Sequence, residues 1–235
     1  DVAHDFQKYD LTSMPVVDNE NRLVGIITVD DIVDIMQEET TEDIEKMAAM
    51  VPSDKPYIKN GPFETFKKRI PWLLLLMISA SITGKIIQGF EHALAGSVIL
   101  TAFIPMLMDT GGNSGSQASV SIIRALSLDE IKHSDIVKIV FKEFRVAILV
   151  GVTLAACNFS KMMIIDHVSI MIAAVVCLTL IVTVIIAKIV GCTLPILADK
   201  LGFDPAVMAS PFITTIVDAL SLLIYFTIAT NLLNL

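Results

Sequence analysis

Hydrophobic residues run in five long blocks through the last three-quarters of the chain, at 70–87, 93–108, 137–159, 168–189 and 206–235. A bilayer core about 30 Å thick takes about 20 mostly apolar residues per helix, so each block is a candidate membrane span. The second block is short and runs into the glycine-rich segment 109–117, which reads as an irregular loop. The third starts among Lys138, Lys142, Glu143 and Arg145, so its first turns are expected to project beyond the lipid. The first 64 residues have a different rhythm. Met14-Pro15-Val16-Val17-Asp18 is extended and apolar, Asn19-Glu20-Asn21 is a turn, and Leu23 to Thr28 is a second β-rich run. Asp30-Asp31 then open a helix with Ile32, Val33, Ile35 and Met36 on its apolar side, where acids suit the positive end of the helix dipole. A strand–turn–strand–helix unit of this size is too small to bury a substantial core alone.

Composition sharpens this division. Of 235 residues 54% are hydrophobic and 18% charged, the mean hydropathy is +0.72, and the net charge is −8. Residues 1–64 carry 15 acids against 5 bases, and residues 65–235 carry 10 acids against 12 bases. Such a chain is neither disordered nor a nucleic-acid binder, which would need a basic surface to neutralise phosphates. Cys157, Cys177 and Cys192 all lie in apolar sequence and read as small buried hydrophobes. The chain opens at Asp1 with no basic segment ahead of an apolar run, and is expected to be an internal piece of a longer protein. With the N-terminal segment in the cytoplasm, inside segments hold ten Lys and Arg, and outside segments hold only Lys85 and Lys161. That asymmetry predicts a multi-pass protein of the inner (plasma) membrane, its N-terminal segment cytoplasmic and its C-terminus outside.

Three constellations could carry chemistry. The segment Pro105 to Gln117 contains Gly111, Gly112, Asn113, Gly115 and Gln117, polar backbone that is tolerated at membrane depth only inside protein or beside water. Asp218 lies near the middle of the last apolar block, with Thr214, Thr215, Ser221 and Tyr225 at helical spacing on its face. A lone intramembrane acid on a polar stripe suits a cation pathway. Finally, Asp31, Asp34, Glu38 and Glu42 repeat at a 3–4 residue step among further acids from Asp30 to Glu45. Their repulsion would be relieved by a divalent cation, although such a run is also what a solvated helix face looks like. His4, His92, His133 and His167 have no ligand-spaced partners and read as surface residues.

Together these residues resemble a known family. The run M-P-V-V-D-x-x-x-x-L-V-G-I-I-T-x-D-D looks like the second half of a CBS domain. With R-I-P-W at 69–72, G-G-N-S-G-S-Q at 111–117, and G-F-D-P followed by S-P-F-I-T-T-I-V-D-A-L-S-L-L-I-Y-F at 202–226, it resembles the MgtE family of homodimeric magnesium channels and transporters. The resemblance implies a mainly α, polytopic membrane protein with five transmembrane helices per subunit, preceded by a partial α/β CBS unit and a connecting helix. Its expected divisions are 1–36 for the CBS part, 37–68 for the acidic connecting or plug region, and 69–235 for the ion-conducting domain. The resemblance places Asp218 as the ion-selecting acid facing its symmetry mate, with Ser210, Thr214, Thr215 and Ser221 facing the pore and Gly111, Gly112, Asn113, Gly115 and Gln117 beside it. It makes Asp31, Asp34, Glu39, Glu42 and Asp43 the region where cytosolic Mg²⁺ holds the channel closed. Mg²⁺ is then both cargo and regulator, the lipid bilayer and a second copy are partners, and a complete CBS region is where an adenine nucleotide would bind. A membrane-embedded enzyme built on Asp218 or Asp109 would lack a second catalytic group at definable spacing, so the chain is not expected to be an enzyme. The remaining alternative is a proton-coupled divalent cation carrier in which Asp218 titrates.

Overall fold

A computed structural model describes residues 2–53, 55–91, 95 and 97–234, and for Ser210 its backbone alone. Helix α1 (Val2–Tyr9) leads into an antiparallel pair, β1 (Ser13–Val17) and β2 (Leu23–Thr28), with Ser13 opposite Thr28 and an irregularity at Val16/Val17. The turn between them is built by Asp18, whose Oδ1 accepts from the backbone N–H of Glu20 and of Arg22, both at 2.9 Å. This is the strand–turn–strand unit expected from the sequence. Its two strands leave Leu23, Val24 and Ile26 exposed, so the sheet closes no core of its own.

Helix α2 (Val29–Met47) follows directly. Its start is fixed by a capping box: the Thr28 N–H and Oγ1 both donate to Asp31 Oδ2, at 2.9 and 2.8 Å. These bonds favour the ionised carboxylate and hold Asp31 below its ordinary range. The helix runs unbroken from the β unit through the acidic run.

The remaining long helices are α3 (Pro62–Gly89), α4 (Ile104–Ser127), α5 (Ile136–Ile164), α6 (Ile170–Lys200) and α7 (Ser210–Leu233). Among the described residues, Pro62–Gly89, Ile170–Lys200 and Pro205–Leu233 are long and apolar enough to cross a bilayer. The other two are equally long but carry polar residues: along the length of α4, and in the first turns of α5 ahead of the apolar residues 146–160. Helix α4 carries Asp109, Asn113 and Gln117, and α5 carries Lys138, Lys142, Glu143 and Arg145. Packing among these helices is uneven. Helices α4, α5 and α7 surround α6, whereas α3 leans on α7 and leaves most of its surface bare. The main core joins Leu107 of α4, Met162 of α5, Val175 and Val176 of α6, and Tyr225 and Phe226 of α7. Phe90 stacks on Phe226 at 4.8 Å, and Tyr225 donates its hydroxyl to the Leu100 carbonyl at 2.9 Å.

The glycine segment departs from expectation. It is no loop: Pro105 to Gln117 lies inside α4, preceded by a 3₁₀ stretch at Val98–Phe103. The second block of 93–108 therefore contributes only the beginning of this helix, and residues 92–94, including His92, lie outside the described residues. Glycine costs about 1 kcal/mol relative to alanine in a helix interior. Here that cost is offset by close packing, because the missing β-carbons let α6 and α7 approach. A β-carbon on Gly191 of α6 would run into the Gly115 backbone, within 2.9 Å of its carbonyl carbon. One on Gly115 would stand 2.8 Å from Ile213 Cγ2, and one on Gly111 would stand 2.7 Å from Thr183 Cγ2. Small residues at helix crossings are how membrane helices gain contact where the hydrophobic effect gives no drive.

Candidate functional site

The close approach of α4 to α7 sets a register. Gly115 meets Ile213, Gly112 meets Thr214, and Gly111 meets Val217 and Ser221, so the two helices run antiparallel. Asp109, one turn before Gly112, falls at the level of Asp218, one turn after Thr214. On α4 the glycines turn inward, while Asp109, Asn113, Gln117 and Val120 remain exposed along one stripe at four-, four- and three-residue steps. Asn113, Ser116 and Gln117 line a shallow open cavity of about 610 Å³ on this stripe. Asp218 is half-buried, and its carboxylate forms no hydrogen bond or salt bridge among the described residues.

The other expected pore residues divide. Thr214 and Thr215 are half-buried and both donate to the Pro211 carbonyl, at 3.0 and 2.9 Å, which fastens the first turn of α7. Ser221 is 1% exposed and donates to the Val217 carbonyl at 2.6 Å; it is covered by Gly111 and does not open onto the stripe. Tyr225, placed on the Asp218 face by spacing, is fully buried in the core instead. The helix turns its two ends toward different neighbours, so a face defined at Asp218 does not persist two turns later. Ser210 begins α7, but its side chain lies outside the described residues.

The acidic helix α2 also divides its carboxylates. Asp34, Glu38, Glu39, Glu42 and Glu45 line a groove between α2 and the 52–56 segment. Asp31 is committed to its capping box. Asp43 faces elsewhere: burial, then the nearby Asp204 carboxylate, push its pKa up. Among the described residues no three acids, histidines or cysteines converge closely enough to hold a metal ion.

Two ionic contacts were not legible in the sequence. Lys46 Nζ donates to Asp204 Oδ2 and reaches Glu42 Oε1, both at 2.5 Å, and these partners hold Lys46 above its ordinary range. The second oxygen of Asp204 accepts the Ala206 N–H at 2.8 Å, so one carboxylate joins the end of α2 to the turn that feeds α7. The second contact is Lys188 of α6 against Glu143 of α5 at 3.6 Å, with both side chains nearly buried. Their partners are 158 and 45 residues distant in sequence, and no short-range spacing announces either pair.

The Asp43 environment gives a pH prediction. A raised pKa in the docked state means that ionised Asp43 opposes docking at neutral pH, and that this opposition fades as pH falls through the raised value. Asp43→Asn is therefore expected to slow amide exchange over residues 43–50 at neutral pH. The difference from wild type should vanish in acid, where wild-type Asp43 is itself neutral. Equal exchange rates at neutral pH would contradict this account.

A bundle with apolar spanning helices and a polar stripe beside an unpaired acid defines a multi-pass membrane protein. Comparison with known proteins agrees. The family model MgtE, described as a divalent cation transporter, matches residues 104–228, and a CBS domain model matches residues 1–38. The chain is 39% identical over 234 residues to the magnesium transporter MgtE of Thermus thermophilus, covering all of this chain and 52% of that protein. It is 40% identical over 240 residues to that of Bacillus subtilis, covering all of this chain and 51% of the relative. Against the Enterococcus faecalis protein of the same name it is 34% identical over 232 residues, covering 97% of this chain and 50% of the relative. The chain belongs to the MgtE divalent cation transporter family. It spans about half the length of the curated relatives it matches.

Proposed function

We propose that this chain forms the membrane part of a Mg²⁺ uptake protein acting as a homodimer, with five spans per subunit and the ion pathway along the α4 stripe. The observation that carries this reading is Asp218: a carboxylate without a partner among the described residues, half-buried in an apolar helix, at the level of Asp109 and beside exposed Asn113 and Gln117. An intramembrane acid is costly and belongs where a cation or water meets it. Two copies related by a two-fold axis would bring two such acids together. In this reading Thr214 and Thr215 lie one turn before Asp218 and Ser221 one turn after it, its hydroxyl donating to the Val217 carbonyl; Ser210 opens the same helix, and Gly111, Gly112, Asn113, Gly115 and Gln117 lie on the facing helix α4. Mg²⁺ keeps its waters reluctantly shed, so two carboxylates set back from the axis suit a hydrated ion. A divalent ion entering down the membrane potential gains about 4.6 kcal/mol per 100 mV, twice the single-charge figure.

Regulation follows from α2. In this reading residues 1–36 form part of a CBS domain, 37–68 a connecting or plug region and 69–235 the conducting domain. The groove carboxylates Asp34, Glu39 and Glu42 take cytosolic Mg²⁺, with Asp31 and Asp43 on the same helix but outside the groove, and the Lys46–Asp204 contact transmits the position of α2 to the start of α7. The N-terminal segment lies in the cytoplasm and the C-terminus outside, and an adenine nucleotide binds where the CBS region is complete.

Asp218→Asn tests the proposal. In proteoliposomes loaded with a Mg²⁺-sensitive dye, the variant is expected to lose most of the wild-type Mg²⁺ influx while keeping the wild-type elution profile in detergent. Retained influx and selectivity would overturn the reading. Wild-type influx that ignores an imposed proton gradient supports a channel, whereas influx that follows the gradient supports the proton-coupled carrier.

A further inference from the structure

The ion pathway leaves unused a groove where α3 begins. The 3₁₀ turn Tyr57–Lys59 folds back along the first turns of α3, and between them lies an open cavity of about 640 Å³. Tyr57, Ile58, Phe66, Ile70 and Leu73 supply its apolar walls, and Arg69 stands on it as the one charged residue. Ile58 is 95% exposed and Tyr57 77% exposed. Apolar side chains gathered in this way mark a surface that something else covers.

Charge and position define what covers it. Residues 55–69 hold five bases against one acid, in a chain whose net charge is −8. Glu64 is taken by Lys55 at 3.0 Å, and Lys68 donates to the Pro52 carbonyl at 3.0 Å. The side chains of Lys59, Lys67 and Arg69 form no hydrogen bond or ion pair among the described residues. Arg69 is also the last charge before the apolar run of α3, which begins at Ile70. Polar and apolar ends of the groove therefore meet where a membrane helix passes from headgroups into hydrocarbon. A free anion would satisfy Arg69 and leave Ile70 and Leu73 bare. A zwitterionic lipid would cover the apolar wall with no net charge for the bases.

We propose that this groove is a binding site for an anionic glycerophospholipid, with its phosphate at Arg69 and an acyl chain along Phe66, Ile70 and Leu73. The site requires only that α3 crosses the bilayer and is independent of which ion the protein carries.

Trp72, the single tryptophan of the chain, is adjacent to Leu73 and reports on the site. The chain is reconstituted in phosphatidylcholine vesicles carrying a low mole fraction of chain-brominated phosphatidylglycerol or, separately, chain-brominated phosphatidylcholine, and quenching of Trp72 is read. Brominated phosphatidylglycerol is expected to quench at several-fold lower mole fraction than brominated phosphatidylcholine. Arg69→Gln should lower the apparent phosphatidylglycerol affinity about five-fold, the factor for ~1 kcal/mol per interfacial base. Lys200→Gln, remote from the groove, should leave it unchanged. Equal quenching by the two lipids overturns the proposal, as does an equal effect of Arg69→Gln and Lys200→Gln, which would reduce the attraction to general surface charge. Absence of quenching by either lipid also overturns it, because the groove would then be covered by protein, such as a second copy of the chain.

Discussion

Gly191→Ala is expected to lower the thermal stability of the protein more than any other single methyl addition among its described glycines. The new β-carbon would point at the Gly115 backbone, 2.9 Å from its carbonyl carbon and 3.1 Å from its Cα. Backbone atoms in the middle of a helix cannot rotate aside as a side chain does, so α4 and α6 would have to separate. That separation would also loosen Gly111 from Thr183 and Gly115 from Ala187, contacts made along the same crossing. Overpacking of a filled interior costs about 1–3 kcal/mol, and here the upper part of that range is expected. Gly84→Ala supplies the control, since nothing lies within 4 Å of a β-carbon there. Thermal unfolding in detergent, followed by size-exclusion profile, should show a large drop for Gly191→Ala and none for Gly84→Ala. An unchanged Tm for Gly191→Ala would mean that the α4–α6 crossing is looser than described.

Lys188→Met is expected to destabilise the protein strongly, and Lys188→Met with Glu143→Leu to recover most of the loss. The pair sits 3.6 Å apart with side chains 6% and 14% exposed, linking α6 to α5. Removing one member leaves a buried charge without its counter-charge, which costs about 3–5 kcal/mol. Removing both replaces two desolvated ions by apolar volume, which is often neutral or favourable. A double-mutant cycle in detergent therefore separates an interacting pair from two independent residues. If the double variant is as unstable as the sum of the single ones, Lys188 and Glu143 do not act as a pair.

Much of the architecture could be read from apolar runs, because a bilayer imposes a length and a composition that survive without tertiary information. Helices α3, α6 and α7 follow from that rule, and the β1–β2 turn from Asn19-Glu20-Asn21, although the part Asp18 plays in it came only from the structure. Helix α4 did not, for a physical reason. Glycine clusters mark loops when nothing packs on them, and helix crossings when a partner does. The partners here are Gly191, Thr183 and Thr214, dozens of residues further along the chain. Asp218 stood out because a charge in an apolar run is conspicuous in sequence alone. Its companions were harder to place: Ser221 and Tyr225 share its helical spacing, but one is covered by Gly111 and the other is fixed to Leu100. Long-range ion pairs such as Lys46–Asp204 leave no local trace at all.

The packing of α4 also bears on the order in which the chain is made. This helix presents Asp109, Asn113 and Gln117 on one side, and its other side depends on residues 183–221 for support. A segment of that polarity partitions poorly into hydrocarbon by itself, since an aspartate opposes insertion by up to about 3 kcal/mol and Asn113 and Gln117 add to it. The helices that shelter the glycine face of α4 are synthesised after it. Helix α4 therefore reaches its final packing only once α6 and α7 have been made, so its placement belongs to a late step in the folding of this chain.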